Sequence, residues 1–102
     1  MDHPPKRIVY ILRSQSDPSR HYVGVTSKLE RRLAWHNSGR NISTATWRPW
    51  RLLALIELED EPTAVRFERH LKTGSGRAFA LRHFSPVASA REAAVRSASG
   101  SG

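Results

Sequence analysis

Cysteine is absent from the 102 residues, which removes disulfides and thiolate metal sites from consideration. Long apolar runs are absent as well, and nothing approaches the roughly 20 consecutive residues that span a bilayer. The opening MDHPPKRIVYILRS holds no secretory cleavage pattern, so a soluble cytoplasmic protein without membrane association is expected. Five histidines (3, 21, 36, 70 and 83) never take zinc-type pair spacing, and a structural metal is not expected. Acidic residues are scarce. Nine Asp+Glu face seventeen Lys+Arg, a net charge of +8, and fourteen of the seventeen cations are arginine. Such an excess points to a polyanionic partner, because each cation laid near a phosphate releases counterions. Arginine also grips phosphate oxygens in pairs.

What is present fits one small domain. Residues 1–6 are polar and proline-bearing and read as a flexible N-terminus. RIVYILR (7–13) is a continuous β-branched run that reads as a buried strand, and HYVGVT (21–26) as a second. The turn formers between them make an antiparallel hairpin. Ser27 and Glu30 have capping-box spacing, which predicts a helix from there to about Ser38, stopped by Gly39. Residues 40–50 read as an irregular connection. RLLALIELE (51–59) is a third strand, and DEP opens a second helix that runs to about Thr73. GRAFALRHF (76–84) makes a last short helix. Residues 85–102 are rich in Ala and Ser and read as a disordered tail. The fold class is α/β (α+β), in the order β-β-α-β-α(-α), with a three-stranded sheet flanked by helices over residues 7–84.

Polar groups interrupt the faces that should be apolar. At about 100° per residue, Leu29 and Leu33 define the buried side of the first helix. His36 projects between them and Arg32 lies at the edge of that arc, while Trp35 and Arg31 point elsewhere. An arginine stem covering leucine and a histidine capping a carbonyl would be the ordinary explanation. On the second helix Ala64, Phe67 and Leu71 form the apolar stripe, and Glu68 projects into it with Lys72 beside it. Glu68 is either one half of an i, i+4 pair or a cation ligand. Tyr10 and Tyr22 fall on one hairpin face and, in a symmetric hairpin, directly opposite each other. Gly24 removes a side chain from that face.

In order, VYIL (9–12), YVG (22–24), LERRLAWH (29–36), RPWRL (48–52) and FERHLK (67–72) resemble the GIY-YIG nuclease superfamily, particularly its small stand-alone bacterial members. The resemblance covers roughly residues 7–84. It implies that Tyr10 and Tyr22 are the tyrosines of the two strand motifs. It implies further that Arg32 and His36 are the helical arginine and histidine, and that Glu68 binds a single divalent metal. Ile8 stands where the first motif usually has glycine, Val23 replaces isoleucine, and Val25 replaces a lysine found in some members. The first two keep the strand and remove no reacting group; without the lysine, help in activating a tyrosine has to come from elsewhere, with His36 the nearest candidate.

The resemblance thus implies a metal-dependent endonuclease, a phosphodiesterase using one Mg²⁺ or Mn²⁺ ion on nucleic acid, DNA rather than RNA. Glu68 would hold the ion and Arg32 the scissile phosphate. Tyr10 would take the proton of water, with Tyr22 and His36 orienting the site. A free tyrosine has a pKa near 10, so a neighbouring cation is expected to favour the phenolate. A chain of this size has little surface for reading sequence, which suits structure-selective or weakly specific cutting, as in DNA repair. Arg31, Arg40, Arg48, Arg51, Lys72 and Arg77 are expected to bind the nucleic acid around the site. The alternative is a non-catalytic nucleic-acid-binding module of the same fold.

Overall fold

The computed structural model describes residues 4–84. The elements are β1 (Ile8–Ser14), β2 (His21–Thr26), α1 (Leu29–Ser38), α2 (Ile42–Ala45), β3 (Trp50–Glu57), α3 (Glu61–Leu71) and α4 (Gly74–Phe84). The three strands form one antiparallel sheet in the order β2-β1-β3, so the α+β class expected from the sequence is the one found. The expected tail at 85–102 and the first three residues lie outside the described residues. Among the described residues no helix is long and apolar enough to cross a membrane.

β1 is central because its side chains are apolar on both faces, as a strand buried on both sides requires. Val9 and Ile11 face α3 and α4, where they pack with Ala64 and Leu71 and are joined by Val23, Phe67 and Phe84. Tyr10 and Leu12 face the other way, against Trp50, Tyr22, Leu29, Leu33 and Trp47. The helices therefore lie on both sides of the sheet, α1 and α2 over one face and α3 and α4 over the other. Val9, Ile11, Leu12 and Leu71 are essentially fully enclosed, each contributing about 1.5–3 kcal/mol through the apolar surface removed from water.

The hairpin departs from the symmetric one expected. Asp17 accepts from the Ser19 backbone N–H and hydroxyl, Arg20 N–H reaches the Asp17 carbonyl, and Ser14 N–H reaches the Arg20 carbonyl. This six-residue loop moves the pairing by two positions, so Tyr10 faces Gly24 and Leu12 faces Tyr22. An even slip keeps every side chain on its face, and the two tyrosines become diagonal neighbours with ring centroids 6.1 Å apart. The expected capping box also fails to form. Lys28 is the N-cap of α1 and has no side-chain cap bond. Its N–H is taken instead by the Thr26 hydroxyl at the strand end, at 3.1 Å, which leaves Ser27 outside the cap position. The other end follows expectation: Gly39 takes φ 83°, a left-handed conformation that suits glycine.

The connection read as irregular contains the single turn α2, started by Asn41, whose side chain accepts from Ser43 N–H. β3 begins one residue early at Trp50 and ends at Glu57. In α3, Asp60 accepts from Thr63 N–H and Pro62 occupies the first turn, as the DEP signature requires. The helix closes at Leu71 rather than Thr73, because Lys72 and Thr73 N–H turn back to the Arg69 and His70 carbonyls. α4 starts at Gly74, two residues before the expected start.

Candidate active site

Three of the misplaced polar groups meet under α1. His36 is completely buried and Tyr10 is 1% exposed. The Tyr10 hydroxyl and His36 Nε2 lie 3.0 Å apart. Tyr22 packs on the His36 ring at 4.5 Å between centroids. Gly24 makes this possible: a Cβ built there would stand 2.5 Å from the Tyr10 oxygen. The Tyr10 ring thus crosses over β2, the edge strand, at the one residue with no side chain to block it.

The other ring nitrogen of His36, Nδ1, lies 3.1 Å from the Thr44 hydroxyl on α2. Trp50 Nε1 donates to the Thr44 carbonyl at 2.8 Å. Asn37 clamps the same corner, its amide nitrogen donating to the Trp50 carbonyl at 3.1 Å and its oxygen accepting from Trp50 N–H. The end of α1, the single turn α2 and the start of β3 are thereby tied around one histidine. Sequence reasoning missed Thr44, Asn37 and Trp50, because a threonine in a connection, an asparagine near a helix end and a tryptophan at a strand start are each ordinary, and nothing in their spacing reports this approach.

Arg32 is half-buried and has no acidic partner among the described residues. Its guanidinium rests 4.9 Å from the Trp35 ring centre, a cation–π distance. Trp35, expected to point elsewhere, shares a helix side with Arg32 three residues before it, and its large ring also reaches the neighbouring His36 edge-on at 5.0 Å.

Glu68 comes from α3, on the opposite sheet face. Its side chain is 16% exposed and accepts from Lys72 Nζ at 3.1 Å, so the i, i+4 pair considered above exists. Its charge is the weakest of those that raise the Tyr10 phenol. Among the described residues no three His, Cys, Asp or Glu side chains gather as a ready-made metal cage. A lone, partly covered carboxylate nevertheless suits Mg²⁺, which keeps several waters and takes one or two carboxylates plus substrate phosphate oxygens.

The electrostatics correct one expectation. Burial raises the Tyr10 phenol above the usual tyrosine range; the neighbouring Tyr22 and, more weakly, the Glu68 carboxylate act in the same direction, and only the Arg32 guanidinium opposes. A resting phenolate at Tyr10 is therefore disfavoured, because one cation does not outweigh desolvation. His36 is held down to about 4, first by burial and then by Arg32, so its ring is neutral at pH 7.

The arginines expected around the site do not form one rim. Arg31, Arg32 and Arg40 line a groove of about 620 Å³ along α1, together with Lys6, Lys28 and Trp35. Lys72 and Arg77 line a separate groove beside α4 with Arg20, His21 and Tyr22, one of the candidate site tyrosines. Arg48 folds back onto the Ala45 carbonyl at 2.7 Å, over Gly39. Arg51 pairs across the sheet with Arg13, and strand alternation puts both on the face opposite the phenols. Charge alone carried no information on which face each arginine would take.

Residues 6–81 match the family described as the GIY-YIG catalytic domain. A 67-residue stretch is 34% identical to the structure-specific endonuclease subunit SLX1 of Scheffersomyces stipitis, covering 59% of this chain and 20% of that protein. The matched part thus spans about a fifth of that relative's length. No solved structure matches the chain.

Proposed function

The chain belongs to the GIY-YIG catalytic domain family, and from that premise we propose that it is a metal-dependent endonuclease acting on DNA of branched or otherwise irregular structure. The name of the yeast relative supports the structure-selective part, and the basic groove along α1 supports a phosphate backbone as ligand. The observation that carries the catalytic reading is the Tyr10–His36 contact. It gives a buried phenol a proton acceptor at the one place where its own ionisation is opposed.

In this reading Arg32 leaves Trp35 to hold the scissile phosphate, where a planar guanidinium pairs with two oxygens. Water approaches on the side of the half-buried Tyr22. Tyr10 accepts the water proton as it passes its own to His36 Nε2, so no free phenolate is needed and the imidazolium holds the proton. Tyr22 packs against both rings and fixes their angle. Glu68, released from Lys72, would hold a Mg²⁺ or Mn²⁺ ion, which when bound supplies charge relief on the phosphate and the leaving oxygen.

A non-catalytic nucleic-acid-binding module of the same fold is favoured by one feature only, the Glu68–Lys72 pair. The two readings separate on incubating the purified protein with branched, nicked, single-stranded and linear duplex DNA, and with RNA, with and without Mg²⁺ or Mn²⁺. Metal-dependent cutting of the branched or nicked substrates is expected. Tight binding of all of them with no cutting under any metal would leave the binding module.

A further inference from the structure

Two of the His36 contacts bear on where its single proton sits. The Thr44 hydroxyl has the Asn41 carbonyl at 3.3 Å on one side and His36 Nδ1 at 3.1 Å on the other. A carbonyl only accepts, so a Thr44 proton given to Asn41, which also takes the Thr44 and Ala45 N–H groups, leaves the hydroxyl oxygen presenting lone pairs to the ring. In that arrangement Nδ1 is the nitrogen that donates. A neutral imidazole has one N–H, so Nε2 is bare and accepts from the Tyr10 hydroxyl. Every bond in the resulting chain runs the same way: Tyr10 O–H to Nε2, Nδ1–H to Thr44, Thr44 O–H to the Asn41 carbonyl.

Thr44 has little freedom to do otherwise. It is 2% exposed, its N–H donates to the Asn41 carbonyl at 3.1 Å, and its carbonyl is held by Trp50. Asn41 in turn caps α2 through Ser43 N–H at 3.1 Å. A four-residue helix thus presents one hydroxyl to the back of the imidazole.

We infer that Thr44 is a positioning residue for the reaction proposed above: its hydroxyl holds His36 in the Nδ1–H tautomer and so keeps Nε2 open to receive the Tyr10 proton. It touches neither water nor phosphate. The inference rests on the nuclease reading for its catalytic consequence, but the tautomer itself is a property of the resting protein. Without the Thr44 oxygen the ring proton has no partner at Nδ1 and gains one by moving to Nε2, where it would point at the Tyr10 oxygen and close the proton path.

The test uses the full chain with ¹⁵N-labelled histidine. In the wild type at pH 7, ring ¹⁵N–¹H correlations of His36 are expected to show Nδ1 protonated and Nε2 bare; an Nε2–H ring would overturn the inference. Thr44→Val keeps the shape and deletes the hydroxyl. It is expected to lose the wild-type ring pattern and to cleave about 10- to 100-fold more slowly, the range for groups that orient an imidazole from behind, with DNA affinity unchanged. Thr44→Ser restores both ring pattern and rate. A folded Thr44→Val that cleaves at the wild-type rate overturns the inference. Should Thr44→Val fail to fold, Thr44→Ser and the wild-type ring assignment decide it. A wild-type protein that cleaves nothing defeats the nuclease reading instead, and the tautomer is then judged by the ring spectra alone.

Discussion

Acidification should destabilise this protein through His36. The ring is completely buried and its pKa falls from 6.5 in the unfolded chain to about 4, because burial and the Arg32 charge both oppose the imidazolium. Between these two values the unfolded state binds a proton that the folded state does not, so folding stability falls as pH drops from about 6.5 towards 4 and levels off below it. Above 6.5 the group contributes no pH dependence. At about 1.4 kcal/mol per unit, the loss amounts to about 3 kcal/mol, a large share of the roughly 5–15 kcal/mol that holds a small domain together. Urea unfolding followed by tryptophan fluorescence at pH values from 7.5 to 4 measures it. His21 is also lowered, chiefly by burial, and Asp17 and Asp60 are lowered by hydrogen bonds to Ser19 and Thr63. The comparison that isolates His36 is therefore with His36→Gln, which is expected to show the shallower slope. Parallel curves for the two proteins would refute the buried neutral imidazole.

Gly24→Ala places a methyl against the Tyr10 oxygen; the ring must move, with an expected cost of about 1–3 kcal/mol in thermal or urea unfolding and a larger proportional loss of cleavage. Glu68→Gln is expected to abolish metal-dependent cleavage while changing stability by no more than about 0.5 kcal/mol, since its partner Lys72 is half-exposed and such pairs are weak. Arg31→Glu with Arg40→Glu should weaken duplex binding and flatten its dependence on salt, read by fluorescence anisotropy from low to moderate ionic strength.

Much of this arrangement is legible in the chain because strands and helices leave periodic traces. The β-branched run at 7–13 gave β1 as a strand buried on both faces, and the 3.6-residue stripe of Ala64, Phe67 and Leu71 gave the inner side of α3. His36 stood out because a histidine between leucines on a helix needs a partner. The Tyr10–Tyr22 register did not follow, since it depends on loop length: six residues between the strands, held by Asp17, shift the pairing by two. The cap of α1 was misplaced because Thr26, a strand residue, reached Lys28 N–H before Ser27 could act. Thr44 was illegible for a stronger reason. Its role exists only once α2 is folded against the end of α1, and a threonine in a loop carries no mark of that. Arg51 was grouped with the site by charge, but which face a strand cation takes is decided by register.

The central claim is that the Tyr10–His36 pair moves the proton of the attacking water. Tyr10→Phe tests it most directly, since it removes one oxygen and leaves the ring over Gly24. In single-turnover cleavage of a branched DNA with saturating Mg²⁺, the variant should bind as the wild type does and cut at least about 100-fold more slowly, the lower end of what a positioned acid or base contributes. A folded Tyr10→Phe protein that cuts within a few-fold of the wild-type rate would contradict the account.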